Sequence, residues 1–138
     1  MRCHLLMAVT IAVAFSTADT ARAERPTEAP AKANFVVTGV VKGVYTRDEG
    51  HYYHYIVEVL VDEVEKGNDL EVGGTLYVYS FDRKRNAPIE PSASGHEDPP
   101  KKGQRIKAFV KDGKGRHEAI YPNWYDEVQP LDSKKPRR

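Results

Sequence analysis

The feature that most constrains this chain is a strict two-residue alternation in residues 52–64, YYHYIVEVLVDEV. Tyr53, Tyr55, Val57, Val59 and Val61 fall on one side of an extended strand, and His54, Glu58 and Asp62 fall on the other. A period of two is incompatible with an amphipathic helix and predicts a half-buried β-strand. Four more segments read the same way: residues 34–45 (NFVVTGVVKGVY), 75–81 (TLYVYSF), 105–111 (RIKAFVK) and 116–121 (RHEAIY). Between them lie turn signals, Asp48-Glu49-Gly50, Lys66-Gly67-Asn68-Asp69, Gly73-Gly74 and Asp112-Gly113-Lys114-Gly115. No long helical pattern competes, and residues 63–70 have room for one helical turn at most.

The rhythm breaks in residues 82–104, which contain Pro88, Pro91, Pro99 and Pro100. Proline fixes φ and donates no backbone hydrogen bond, so this stretch predicts a long irregular loop between strands 3 and 4. Five short strands with one long connection predict an all-β fold, a small five-stranded OB-like barrel, closed or partly open. Closing the sheet removes free edges. Gly39 and Gly43 suit a first strand that coils sharply enough to serve both ends of the sheet.

Residues 1–23 have the three parts of an export signal: a basic start with Arg2, an apolar run LLMAVTIAVAF, and a small-residue stretch ending Ala21-Arg22-Ala23. That run is shorter than the roughly 18–20 apolar residues of a membrane-spanning helix, so no transmembrane segment is expected in the mature chain. Cleavage after Ala23 would remove Cys3, the one cysteine, and leave equal numbers of basic and acidic side chains. The expected organisation is a signal peptide over 1–23, a flexible Pro/Ala-rich leader over 24–33, a barrel domain over 34–130 and a basic tail over 131–138. A secreted or periplasmic bacterial protein follows, held together by its core without disulfides.

The segments VVTGVVKGVY (36–45), YIVEVLVDEVEKG (55–67), GGTLYVYSF (73–81) and KKGQRIKAFVKDGKG (101–115) together resemble the OB-fold, and more particularly its secreted netrin/TIMP-like branch. The resemblance implies a barrel that binds proteins or polymers. TIMP-type inhibition depends on an N-terminal cysteine and a disulfide frame, which the mature chain lacks, so metalloprotease inhibition is not implied.

A formal net charge of +1 lacks the footprint of a duplex-DNA binder. There is no G-x-S-x-G, P-loop or G-x-G-x-x-G and no mature cysteine, so binding rather than catalysis is expected. The expected partner is a protein or an envelope polymer. The contact residues proposed from sequence are His51, Tyr52 and His54 around the first hairpin, Arg83 and Arg85 in the long loop, and Trp124. Tyr53 and Tyr55 are expected to pack inward while Tyr52, Tyr77 and Tyr79 cover the sheet. Trp124 lies in YPNWY (121–125), which reads either as an aromatic lid on the barrel end or as an exposed anchor. The alternative is a metal-binding protein in which His51, His96 and His117 hold Zn²⁺ or Cu²⁺. No His-x-x-x-His or His-Glu-x-x-His spacing prepares such a site.

Overall fold

The computed structural model describes residues 25–88 and 94–129. The expected signal peptide and the basic tail lie outside the described residues.

Six strands form in chain order: β1 (Phe35–Glu49), β2 (Tyr52–Lys66), β3 (Thr75–Arg83), β4 (Arg105–Asp112), β5 (His117–Ala119) and β6 (Tyr125–Glu127). They pair in the order β1-β2-β3-β5-β4, and a β1–β4 pairing closes the ring. The β3–β5 pair is parallel and the others are antiparallel. This is the expected all-β, five-stranded OB-like barrel, with β6 added against β4. The sequence reading had no counterpart for β6.

Closure depends on β1, which pairs β4 over Phe35 to Val40 and β2 over Val36 to Glu49. A strand shared this way must coil. Its register against β2 shifts between Val36 and Val37, Thr38 and Gly39, and Val41 and Gly43. Gly39 is required by a close approach, because a Cβ there would collide with the Leu60 carbonyl oxygen and crowd Val59.

Alternation fills the interior. Val57, Val59 and Val61 from β2, Leu76 and Val78 from β3, and Ile106, Ala108 and Val110 from β4 are all buried. Trp124, with no exposed surface, joins them together with Ala119 and Ile120. Tyr125 packs edge-on to Trp124 at 5.0 Å between centroids. The 121–125 stretch therefore contributes Trp124 to the core rather than an exposed anchor.

The segment between β3 and β4 carries neither strand nor helix in its described parts. Residues 94–100 are nonetheless fastened to the wall. The His96 N–H donates to Phe81 O (2.7 Å) and the Glu97 N–H to Pro122 O (3.1 Å). The Glu97 carboxylate accepts from the backbone N–H of Trp124 at 3.0 Å.

The leader departs from expectation. Residues 25–33 are not a free spacer but a strap along the barrel. The Glu28 N–H donates to Tyr121 O (2.7 Å), and the Glu28 carboxylate accepts from the Tyr121 N–H (2.8 Å) and pairs with Lys111. The Arg25 guanidinium lies 5.2 Å from the Tyr121 ring centre, and Ala33 is fully buried. Composition flagged the prolines, but the hydrogen bonds to Tyr121 and the Lys111 pair come from Glu28, which composition does not weigh. No helix among the described residues is long and apolar enough to cross a membrane.

Candidate binding face

The β2–β3 register sets His54 opposite Phe81, Ile56 opposite Tyr79, and Glu58 opposite Tyr77. Their in-between neighbours, Val57, Val59, Leu76 and Val78, are buried, so these side chains all stand on the outside of the wall. They form a continuous aromatic row. Tyr52 meets Phe81 edge-on at 6.0 Å, His54 stacks on Tyr79 at 6.0 Å, and Tyr79 leans on Phe81 at 6.3 Å. Phe81 then meets His96 at 4.8 Å, and His96 meets Tyr121 at 5.7 Å. Such cross-strand ring contacts stabilise a sheet face and hold its side chains in fixed rotamers.

A groove of about 260 Å³ opens beside this row, lined by Tyr45, Thr46, Arg47, His54, Tyr55, Ile56, Tyr79 and Arg116. The Arg116 guanidinium lies 3.5 Å from the Tyr79 ring centre. Its Nε donates to Glu118 at 3.1 Å, and Arg47 pairs with Glu49 at 2.7 Å. The Tyr79 hydroxyl and His54 Nδ1 are 2.7 Å apart, and His54 Nε2 is 3.8 Å from Glu49. Tyr45, 58% exposed, donates its hydroxyl to Glu58 at 2.8 Å. That carboxylate pushes the Tyr45 phenol above its usual range, so the hydroxyl stays a donor. The groove thus offers ring faces, hydroxyls and two guanidinium groups in a fixed arrangement.

A second recess, of about 380 Å³, lies around Tyr53, Tyr55, Asp82, Arg83, Lys84, Arg85 and Asp98. Tyr53 and Tyr55 have inward parity, but instead of packing in the core as expected they are half-buried and line this recess, with rings 6.3 Å apart. Lys84 lies 5.2 Å from the Tyr53 ring centre and pairs with Asp48. Arg83 donates to Ala87 O at 3.2 Å. Burial, followed by the charges of Asp82 and Asp98, pushes the Tyr55 phenol up.

The structure divides the contact set read from sequence. Tyr52 and His54 belong to the aromatic row. His51 is exposed in the turn before β2, where its carbonyl accepts the Lys84 N–H at 2.9 Å. Arg83 and Arg85 line the second recess instead. Trp124 is corrected out of the set, because it has no exposed surface and packs as core. His51, His96 and His117 are not brought together as a metal site. Among the described residues no three His, Cys, Asp or Glu side chains are grouped to hold an ion. His96, 6% exposed, uses both ring nitrogens locally, Nδ1 accepting the Phe81 N–H (3.2 Å) and Nε2 facing Ala119 O (3.2 Å). His117 packs edge-on against Phe35 at 4.9 Å.

Sequence reasoning missed Phe81, Tyr45, Arg47 and Arg116. Parity alone would have supplied Phe81, two residues beyond Tyr79 on the same strand face. Arg116 could not be found that way, since its place over Tyr79 follows from the parallel β3–β5 pairing.

Taken together, fold and site define a closed OB-like barrel with an aromatic outer wall on β2 and β3. The chain matches no family model, no curated protein and no solved structure.

Proposed function

We propose that this is an exported, non-catalytic binding barrel of the bacterial envelope or exterior. It holds a protein or polymer against the outer wall of β2 and β3. The observation that carries the reading is the continuous outward row of Tyr52, His54, Tyr79 and Phe81 on the paired strands β2 and β3. Aromatic groups on an outer wall are not needed to close the barrel, whose interior is filled by valine, leucine, isoleucine and Trp124. Contiguous apolar surface of this kind marks interaction sites.

Kinship with the netrin/TIMP-like branch is part of the same proposal. It rests on the segments 36–45, 55–67, 73–81 and 101–115, which supply β1 to β4 of the barrel. Export rests on residues 1–23, and mass spectrometry of the protein from a secreting host tests it, with a chain beginning at Glu24 expected.

The binding face is tested by sedimentation with isolated cell-wall, outer-membrane and extracellular-polymer fractions. The double variant Tyr52→Ala/Tyr79→Ala is compared with Asn68→Ala, which lies past the far end of β2. The double variant is expected to bind at least tenfold more weakly and the control to match the wild type. Equal retention of all three proteins would overturn the assignment of this face.

A further inference from the structure

The geometry points to a carboxylate-bearing sugar ring as the ligand of the groove beside Tyr79, presented by a glycan whose acidic rings are separated by neutral ones. This deepens the binding-face reading and rests on it. The groove of about 260 Å³ has room for one ring-sized unit and is open at its sides, as a site on a threaded chain must be. Ile56 and the Tyr79 ring give it an apolar floor, while the hydroxyls of Tyr45 and Tyr79 give it a polar rim. A sugar ring has that same division, with C–H faces and hydroxyl edges.

The charge pattern names the acid. The groove lining contains Arg47 and Arg116 and no carboxylate. Among the described residues, Arg116 engages Glu118 through Nε alone, and its two Nη groups have no hydrogen-bond partner. A planar guanidinium receives a carboxylate side-on through paired N–H groups. Both arginine ion pairs are exposed, and exposed pairs exchange readily.

The surroundings limit how dense the ligand's charge can be. Glu49, Glu58 and Glu118 stand just outside the lining, each already bonded to a groove residue. One carboxylate between the arginines is attracted, whereas a strand with a charge on every unit meets these acids on either side. Single-stranded nucleic acid is disfavoured on that ground. The aromatic row is also closed to intercalating bases, since its rings already contact one another. A peptide added as a strand would use the edge of β1 over Tyr45 to Glu49, which pairs with β2 alone, rather than the side-chain face on which the groove lies.

The test is titration of the purified ¹⁵N-labelled protein with three probes. These are a tetrasaccharide of alternating glucuronate and N-acetylglucosamine, the same compound with its carboxylates reduced to alcohols, and a short oligothymidylate. The acidic tetrasaccharide is expected to shift the amides of Ile56, Tyr79 and Arg116 and to bind at least tenfold more tightly than the reduced compound. Arg116→Gln is expected to abolish that preference, bringing the acidic and reduced compounds to equal affinity. Equal binding of the acidic and reduced compounds, lost in Tyr79→Ala, would overturn acid recognition and leave the binding face standing. Tighter binding of the oligothymidylate would overturn the glycan assignment. An absence of any shift with either sugar would overturn it too, and the cell-fraction assay above would then decide the face separately.

Discussion

Two stretches of the barrel's outer wall obey the same alternation and carry different chemistry. On the β4 side the outward residues include Arg105, Lys107 and Lys111, and each finds a carboxylate. Arg105 pairs with Asp62 at 3.3 Å, Lys107 with Glu65 at 2.7 Å, and Lys111 with Glu28. On the β2–β3 side the outward positions include Tyr52, His54, Ile56, Tyr77, Tyr79 and Phe81, with Glu58 among them. The first wall neutralises itself and is content in water. The second keeps rings outside that the core does not require. Strand parity decides which residues face outward, and residue type decides whether that surface is complete without a partner.

Both walls hang on one interior, and the largest expected effect removes that shared support. Trp124→Ala deletes the largest fully buried side chain. It is expected to cost about 3–5 kcal/mol, as aromatic-to-alanine changes in a core do. Urea unfolding followed by circular dichroism measures it. A Trp124→Ala protein as stable as the wild type would mean that the walls do not depend on a common core.

Acid is expected to separate the walls, because they are secured by different titrations. His96 joins the long loop to the aromatic row, and its burial lowers its pKa from 6.5, against the raising effect of its backbone bonds to Ala119 and Phe81. Arg25 lowers it further and Glu28 opposes. In the unfolded chain this histidine takes up its proton at higher pH than in the folded one. Stability is therefore complete above about 6.5 and falls as pH drops below it. Glu28 fastens the strap to Lys111 beside the β4 wall. Burial raises its pKa, but the Lys111 and Tyr121 hydrogen bonds and the charges of Lys111 and Arg25 outweigh that and hold it below 4.5. Its contribution is present above that value and is lost only as pH falls through the lower folded pKa. Melting temperatures from pH 8 to 3 are expected to fall first below 6.5, and His96→Gln is expected to flatten that first step and leave the acidic one. A first step of equal size in His96→Gln would assign it to another histidine.

The contrast also shows what a sequence discloses. The alternation of β2, β3 and β4 was legible because burial on one side leaves a period of two in residue type, and the barrel followed from strand number and spacing. Gly39 was legible as a coil point for the same local reason. Trp124 was ambiguous, since an indole at the end of the last strand suits a lid or an anchor equally, and only three-dimensional closure buries it. Arg83 and Arg85 were grouped with the hairpin histidines, yet β3 runs on to Arg83 and carries both arginines to a different recess. Arg25 and Arg116 were invisible as aromatic partners, because a cation's place over a ring depends on contacts between distant segments.

The smallest effects test the claim that one wall is complete and the other is not. Tyr79→Ala removes contacts with His54, Phe81 and Arg116 and is expected to cost about 1 kcal/mol of stability. Lys107→Met breaks the Lys107–Glu65 pair, which is partly exposed and screened by salt, and is expected to cost about 0.5 kcal/mol or less. The informative quantity is the ratio of binding loss to stability loss. Tyr79→Ala is expected to lose far more binding than its stability change accounts for, whereas Lys107→Met loses neither. Adding salt is expected to erase what little the lysine contributes and to leave the tyrosine effect on stability in place. If the two variants lowered ligand binding equally, the β4 wall would be part of the contact surface, and an aromatic exterior would no longer distinguish the two sides.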